Sequence, residues 1–243
     1  MKKYISVFAL AARGSFVKVV AVTLAVALIS AGLLWIVPAT YPDAAEEIKG
    51  ISVDLMVSQS FCPIIALIGF AGIVVLLSRI GTGKGVQPAY TVKRLRINRK
   101  MVSVLWAVYN TIMVLFYRAM LALAVYTVVG IRLKDVGPQA LLLASYGNNF
   151  LHGLLPLKDI TGWIVFILIT ILVGIGCSLV SVLRWRESSN STYPIMYVIL
   201  MVSTSLNIAS GSDFSIVTVF VCIVGLGVLL YQMLKEESNE SDK

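Results

Sequence analysis

The sequence predicts an all-α polytopic membrane protein with six transmembrane helices, an interfacial amphipathic helix ahead of the first, and both termini in the cytoplasm. Three observations carry this expectation. Hydrophobic residues fill 58% of the 243 positions and charged residues only 13%, whereas a soluble domain carries about a quarter charged residues. The apolar residues gather into runs of about 20, the length at which a helix rising about 1.5 Å per residue crosses the hydrocarbon core. Basic residues crowd into alternate loops, as they do on the cytoplasmic side of membrane proteins.

The first element covers residues 1–15. Ile5, Phe8, Ala9 and Ala12 recur at helical spacing while Lys2, Lys3 and Arg13 lie off that stripe, the pattern of a helix lying in the membrane interface. The alternative is a frayed start to the first span. The membrane domain then occupies residues 16–235, with spans at about 16–37, 59–78, 102–130, 160–183, 193–209 and 214–234. The first span has no small-residue cleavage site after it, so it is expected to stay as a helix rather than act as a removable signal. Only Ser210, Gly211, Ser212 and Asp213 separate the last two spans, which predicts a tight hairpin or a pair of partly re-entrant helices. Residues 236–243 form an acidic tail, expected to be disordered.

Loop charges set the orientation. Arg79, Lys84, Lys93, Arg94, Arg96, Arg99 and Lys100 fill the connection between spans two and three without an acidic residue among them, and Arg184 and Arg186 follow span four. The opposite loops carry Asp43, Glu46, Glu47, Asp54, Asp135 and Asp159 against Lys49, Arg132, Lys134 and Lys158. The net charge of +8 is therefore a topology signal and does not point to nucleic acid. Of the two long outer loops, Pro38 to Ser58 is acidic and polar. Ile131 to Asp159, with Leu141, Leu142, Leu143, Phe150, Leu151, Leu154 and Leu155, is too apolar to be freely solvated, and it is expected to lie on the outer membrane surface or cap the bundle.

Catalytic and metal chemistry lacks the parts it needs. Cys62, Cys177 and Cys222 all fall in apolar runs, without disulfide or metal-site spacing. His152 is the one histidine in the chain, and water or backbone satisfies an interfacial histidine more often than it serves as a ligand or proton carrier. Gly81, Thr82, Gly83, Lys84 and Gly85 imitate the end of a phosphate-binding loop. However, Ser78 stands where that motif's first glycine belongs, and Gly85 stands where its hydroxyl residue belongs. Glu46 and Glu47 lack the arginine context of an intramembrane protease, and no serine sits in a Gly-x-Ser-x-Gly setting. The chain is expected to be no enzyme and to hold no metal or cofactor.

Two features remain as candidates for function. Arg118 lies 18 residues beyond Lys100 and 14 before Arg132, deep in the third span, where an unpaired arginine costs several kcal/mol and normally faces a partner or a wet cavity. Asn110, about two turns earlier, shares roughly its face. Asn110, Tyr117 and Arg118 are therefore candidates for a substrate path or subunit seam. A guanidinium that snorkels to one surface is the competing account. The second feature is the connection before that span, where Tyr90, Val92 and Leu95 are interleaved with Lys93, Arg94, Arg96 and Arg99. Such a segment is either a basic anchor enforcing topology or a docking element whose apolar residues enter a partner's groove while the charges fix register.

The arrangement resembles the permease subunits of type-2 ABC exporters. The matching pieces are the interfacial helix, the six spans, the coupling segment Tyr90 to Lys100, and the short connection around Gly211 and Asp213. Arg96 stands where that family's coupling segment carries a proline, and Asn98 stands near its serine. The resemblance implies a cytoplasmic ABC ATPase subunit that holds ATP and Mg and docks on residues 90–100. It also implies a second permease subunit, identical or a sister chain, in the cell membrane. It implies export of an amphipathic cargo such as a peptide, lipid or drug-like molecule. Two other classes stay open: a non-transporting membrane protein serving immunity, sensing or assembly, and a secondary transporter. The latter usually places ionisable groups at midplane and repeats its halves.

Overall fold

The computed structural model describes residues 2–40, 51–79, 99–132, 138–157 and 159–186, together with 220, 223–227 and 230–231. Among the described residues, the helices with both ends defined are, in chain order, α1 (Lys2–Thr40), α2 (Ile51–Gln59), α3 (Cys62–Leu77), α4 (Arg99–Arg132), α5 (Pro138–Gly147), α6 (Asn149–Leu154) and α7 (Ile160–Arg186); residues 220, 223–227 and 230–231 are also helical. Among the described residues there is no strand. Segments within α1, α4 and α7, Tyr4–Ile36, Lys100–Arg132 and Ile160–Val182, are long and apolar enough to cross a membrane. Their outward residues, among them Leu28, Ile29, Val104, Ile112, Leu123, Ile164 and Ile167, are exposed and apolar. That pattern suits hydrocarbon as the solvent, so the protein is read as membrane-embedded.

The third and fourth expected spans, 102–130 and 160–183, fall inside α4 and α7. Each runs without an internal proline, the residue that removes a helix hydrogen bond and clashes with the preceding turn. The first span does not stand apart from the expected interfacial helix. α1 is continuous from Lys2 to Thr40, and Pro38 falls in its last turn. Its buried face is the row Val7, Ala11, Ser15, Val19, Thr23, Val26, Ser30 and Leu34, at steps of three and four that keep one face toward the bundle. The start of this row packs on α4: Phe8 meets Tyr109 edge-on with ring centroids 5.4 Å apart, and the Trp106 indole donates to the Val7 carbonyl at 3.4 Å. Ile5 and Ala9, on the stripe expected to face the interface, are exposed, while Phe8 and Ala12 are half-buried.

The second span, expected over 59–78, starts late, and the stretch before it, expected as a polar loop, carries a helix, α2. α2 ends at Gln59, Ser60 and Phe61 make a turn, and α3 restarts at Cys62. Pro63 lies in the first turn of α3, where its missing N–H is harmless, but a helix running through from α2 would lose a bond there. Phe61 takes up the change of direction in the left-handed region, with φ 53°. α3 is left with 16 residues, about 24 Å of helix, short of a full crossing. The fifth span, most of the sixth, the tail at 236–243 and the docking residues Tyr90, Val92, Lys93, Arg94, Leu95 and Arg96 lie outside the described residues.

Hydroxyls and small residues close the helix seams. Ser178 donates to the Ser103 carbonyl at 2.6 Å across α4 and α7, Ser181 to the Leu77 carbonyl at 3.0 Å across α7 and α3, and Ser15 shares a 2.9 Å hydrogen bond with Tyr109 across α1 and α4. Small polar side chains let helix backbones approach where apolar burial gives no advantage over lipid.

Candidate functional site

The connection between α4 and α7 packs into the bundle. α5 packs on α2 and α6 on α4, with α6 facing α3 across a cavity, and Phe150, Leu151 and Leu154 are buried. Asn148 caps α6, its side chain accepting from the Leu151 amide at 3.1 Å. The Tyr126 hydroxyl on α4 donates to the Leu151 carbonyl at 3.0 Å and the Leu155 carbonyl at 3.3 Å, and lies 3.0 Å from the Ser145 hydroxyl. Tyr126 is six residues before Arg132, about 9 Å along the helix, so α6 sits beside the last turns of α4 and within its height.

Beneath α6, between α3 and α4, lies a cavity of about 40 Å³ lined by Pro63, Leu67, Phe70, Tyr117, Arg118 and Leu154, among others. Tyr117 and Arg118 are consecutive on α4 and diverge by about 100° around the axis. Tyr117 turns toward α3, where its hydroxyl donates to the Ala66 carbonyl and its ring lies 6.1 Å from that of Phe70. Arg118 turns toward α7. Its guanidinium carbon sits 4.6 Å above the Phe166 ring, and its Nη1 donates to the Phe166 carbonyl at 3.4 Å. A cation over an aromatic face gains about 2 kcal/mol when desolvated, and the 3.4 Å hydrogen bond is long.

Arg118 does not snorkel. It is 5% exposed, and among the described residues its Nη2 has no partner. The structure places Tyr117 and Arg118 together on the cavity but leaves Asn110 apart. Asn110 lies eight residues earlier, about 12 Å down the helix, and does not line the cavity. Its side chain is fully buried, and neither its Nδ2 nor its Oδ1 has a partner among the described residues. Arg99, the last expected docking residue, is the first residue of α4.

Two groups in the cap escaped sequence reasoning as a pair. His152 Nε2 lies 3.3 Å from Asp159 Oδ2. Asp159 also caps α7, accepting from the Thr161 amide at 3.0 Å through its side chain and from the Trp163 amide at 3.1 Å through its carbonyl. The Gly162 amide, followed by His152 and the Thr161 amide, holds the Asp159 carboxyl below the usual carboxylate range. A β-carbon at Gly162 would stand 2.6 Å from Asp159 Oδ2 and 2.7 Å from Pro156 Cβ, so a glycine is needed there for the cap to close. The seven-residue spacing of His152 and Asp159 across a Leu-Leu-Pro turn was the available signal.

Comparison with protein families, with curated proteins and with solved structures finds no match to this chain.

Proposed function

We propose that this chain is the membrane-spanning permease subunit of an ATP-binding-cassette exporter. In this reading it moves an amphipathic peptide, lipid or drug-like substrate across the cell membrane, with ATP hydrolysed by a separate cytoplasmic subunit. One observation carries the reading furthest: the last two residues of the basic, semi-apolar segment Tyr90–Lys100 open α4, which begins at Arg99 and continues to Arg132. That helix is about 50 Å long, and it bears Tyr117 and Arg118 on the cavity and Tyr126 under the cap. In this reading, a displacement delivered at the start of α4 by a closing ATPase pair reaches the cavity along one rigid element.

The seams around α4 suit such a movement. Its polar ties to α1, α3 and α7 include single hydroxyl hydrogen bonds, each worth about 0.6 kcal/mol between membrane helices. Two permease subunits, identical or paired with a sister chain, would enclose the substrate path. The basic loop supports a topology with both termini on the ATP side.

The test is affinity purification of the full chain from its native membranes. The expected result is recovery of an ABC ATPase, and charge reversal at Arg94→Glu and Arg96→Glu should reduce that recovery at least tenfold. Full retention of the ATPase by the double variant would remove the docking role. A chain that purifies without any nucleotide-binding partner and shows no ATP-dependent change would favour a non-transporting membrane protein.

A further inference from the structure

We infer that Arg132 and Trp35 form a binding site for the headgroup of an anionic phospholipid, placed where the seam between α1 and α4 reaches the edge of the membrane. Arg132 is the last residue of the membrane-crossing segment of α4, and Trp35 stands one residue before the end of that of α1. The two segments finish side by side, at the level where hydrocarbon gives way to headgroups and tryptophan and arginine gather. The Arg132 guanidinium carbon lies 4.6 Å over the Trp35 ring, and its Nη2 donates to the Trp35 carbonyl at 2.8 Å. Stacking and hydrogen bond together hold the flat cation in one orientation across the seam.

That arrangement uses one of the five N–H donors of the group and leaves its charge unmatched. Among the described residues the ion pair joins His152 to Asp159, and no carboxylate pairs with Arg132. Its side chain is exposed, so the remaining donors open outward, and a guanidinium fork fits phosphate oxygens two at a time. Ile36 and Ile131, the sequence neighbours of the two site residues, are exposed and apolar. A free phosphate gains nothing from them, whereas the acyl chains of a phospholipid cover them. A zwitterionic headgroup brings its own cation to compete for the phosphate, so the lipid that matches Arg132 is one with net negative charge. The other end of the same seam is tied by Trp106 to Val7 and by Ser15 to Tyr109; the lipid ties this one.

This inference needs the membrane-embedded reading alone and stands whether or not the chain is an exporter. The full chain, with Trp106→Phe, Trp163→Phe and Trp185→Phe so that Trp35 is its one tryptophan, is reconstituted in phosphatidylcholine. Phospholipids with bromine on the acyl carbons nearest the headgroup are mixed in at increasing proportion, and quenching of Trp35 fluorescence reports which lipid stands beside it. Brominated phosphatidylglycerol is expected to occupy the site with about fivefold the affinity of brominated phosphatidylcholine of the same chains. Excess inorganic phosphate, at matched ionic strength, should leave that preference in place. Arg132→Gln should abolish it, and Arg132→Lys, which keeps the charge without the flat contact, should keep part of it. The two lipids are compared within each protein, and unchanged quenching by phosphatidylcholine shows that Trp35 has kept its place, so a folding defect does not shelter the proposal. Equal quenching by both lipids in the parent protein, an undiminished preference in Arg132→Gln, or its loss to inorganic phosphate overturns it.

Discussion

Gly174 on α7 faces Thr111 on α4 so closely that a β-carbon at 174 would lie 2.8 Å from the Thr111 nitrogen and 2.9 Å from its Cα. A flexible side chain can turn aside, but a helix backbone cannot, so Gly174→Ala must push α7 away from α4. Overpacking of this kind costs about 1–3 kcal/mol, and the expected outcome is a lower midpoint in SDS-induced unfolding. Because the Thr111 backbone is itself an obstacle, adding Thr111→Ala should restore little of the loss. Full restoration would place the conflict in the Thr111 hydroxyl, which also stands in the way.

Tyr126 ties the cap to the bundle through one oxygen. Tyr126→Phe keeps the ring and removes the donor that reaches the Leu151 and Leu155 carbonyls, a loss of about 1 kcal/mol. Amide exchange should accelerate over residues 138–157 and stay unchanged over 160–186. An unchanged cap would mean that burial of Phe150, Leu151 and Leu154 holds it without the hydroxyl.

The long helices were legible because apolar runs without proline leave the backbone no alternative in hydrocarbon, which is why 102–130 and 160–183 fall within α4 and α7. The break at Phe61 was not read, although Pro63 was its signal, because the hydropathy of 59–78 is continuous across it. The union of residues 1–15 with the first span was read only as the alternative, since the amphipathic stripe suggested a separate interfacial helix, whereas Phe8 and Ser15 pack on Tyr109 within one continuous helix. Arg118 was found because a charge among apolar residues stands out in any sequence. Its direction was not, because helical spacing groups it with Asn110 while the packing of Phe166 turns it into a different seam.

Asp159 gives the cap an acid limit. Its carboxyl is held low chiefly by the Gly162 amide, so the folded form binds its proton less readily than the unfolded chain. The stabilisation is complete above the ordinary aspartate value of about 3.9 and is lost as pH falls through the lowered folded value. The α6–α7 junction should therefore hold from neutral pH down to about 4 and loosen below it, measured by alkylation of a cysteine engineered at Leu157. Asp159→Asn keeps the capping oxygen and should remove this acid transition. A transition that persists in the variant would assign it to another group.

Asn110 separates function from stability in a single substitution. Its amide is fully buried with neither polar atom partnered among the described residues, and such a group costs about 1–3 kcal/mol relative to a satisfied or apolar one. Asn110→Leu, of similar volume, should therefore raise the unfolding midpoint if the amide serves no structural partner. Under the proposed exporter function, with Asn110 on the substrate path, the same variant should also lower substrate export at least tenfold in reconstituted vesicles. A variant that is less stable would show Asn110 bonded within the bundle, and one that exports at the wild-type rate would remove it from the path.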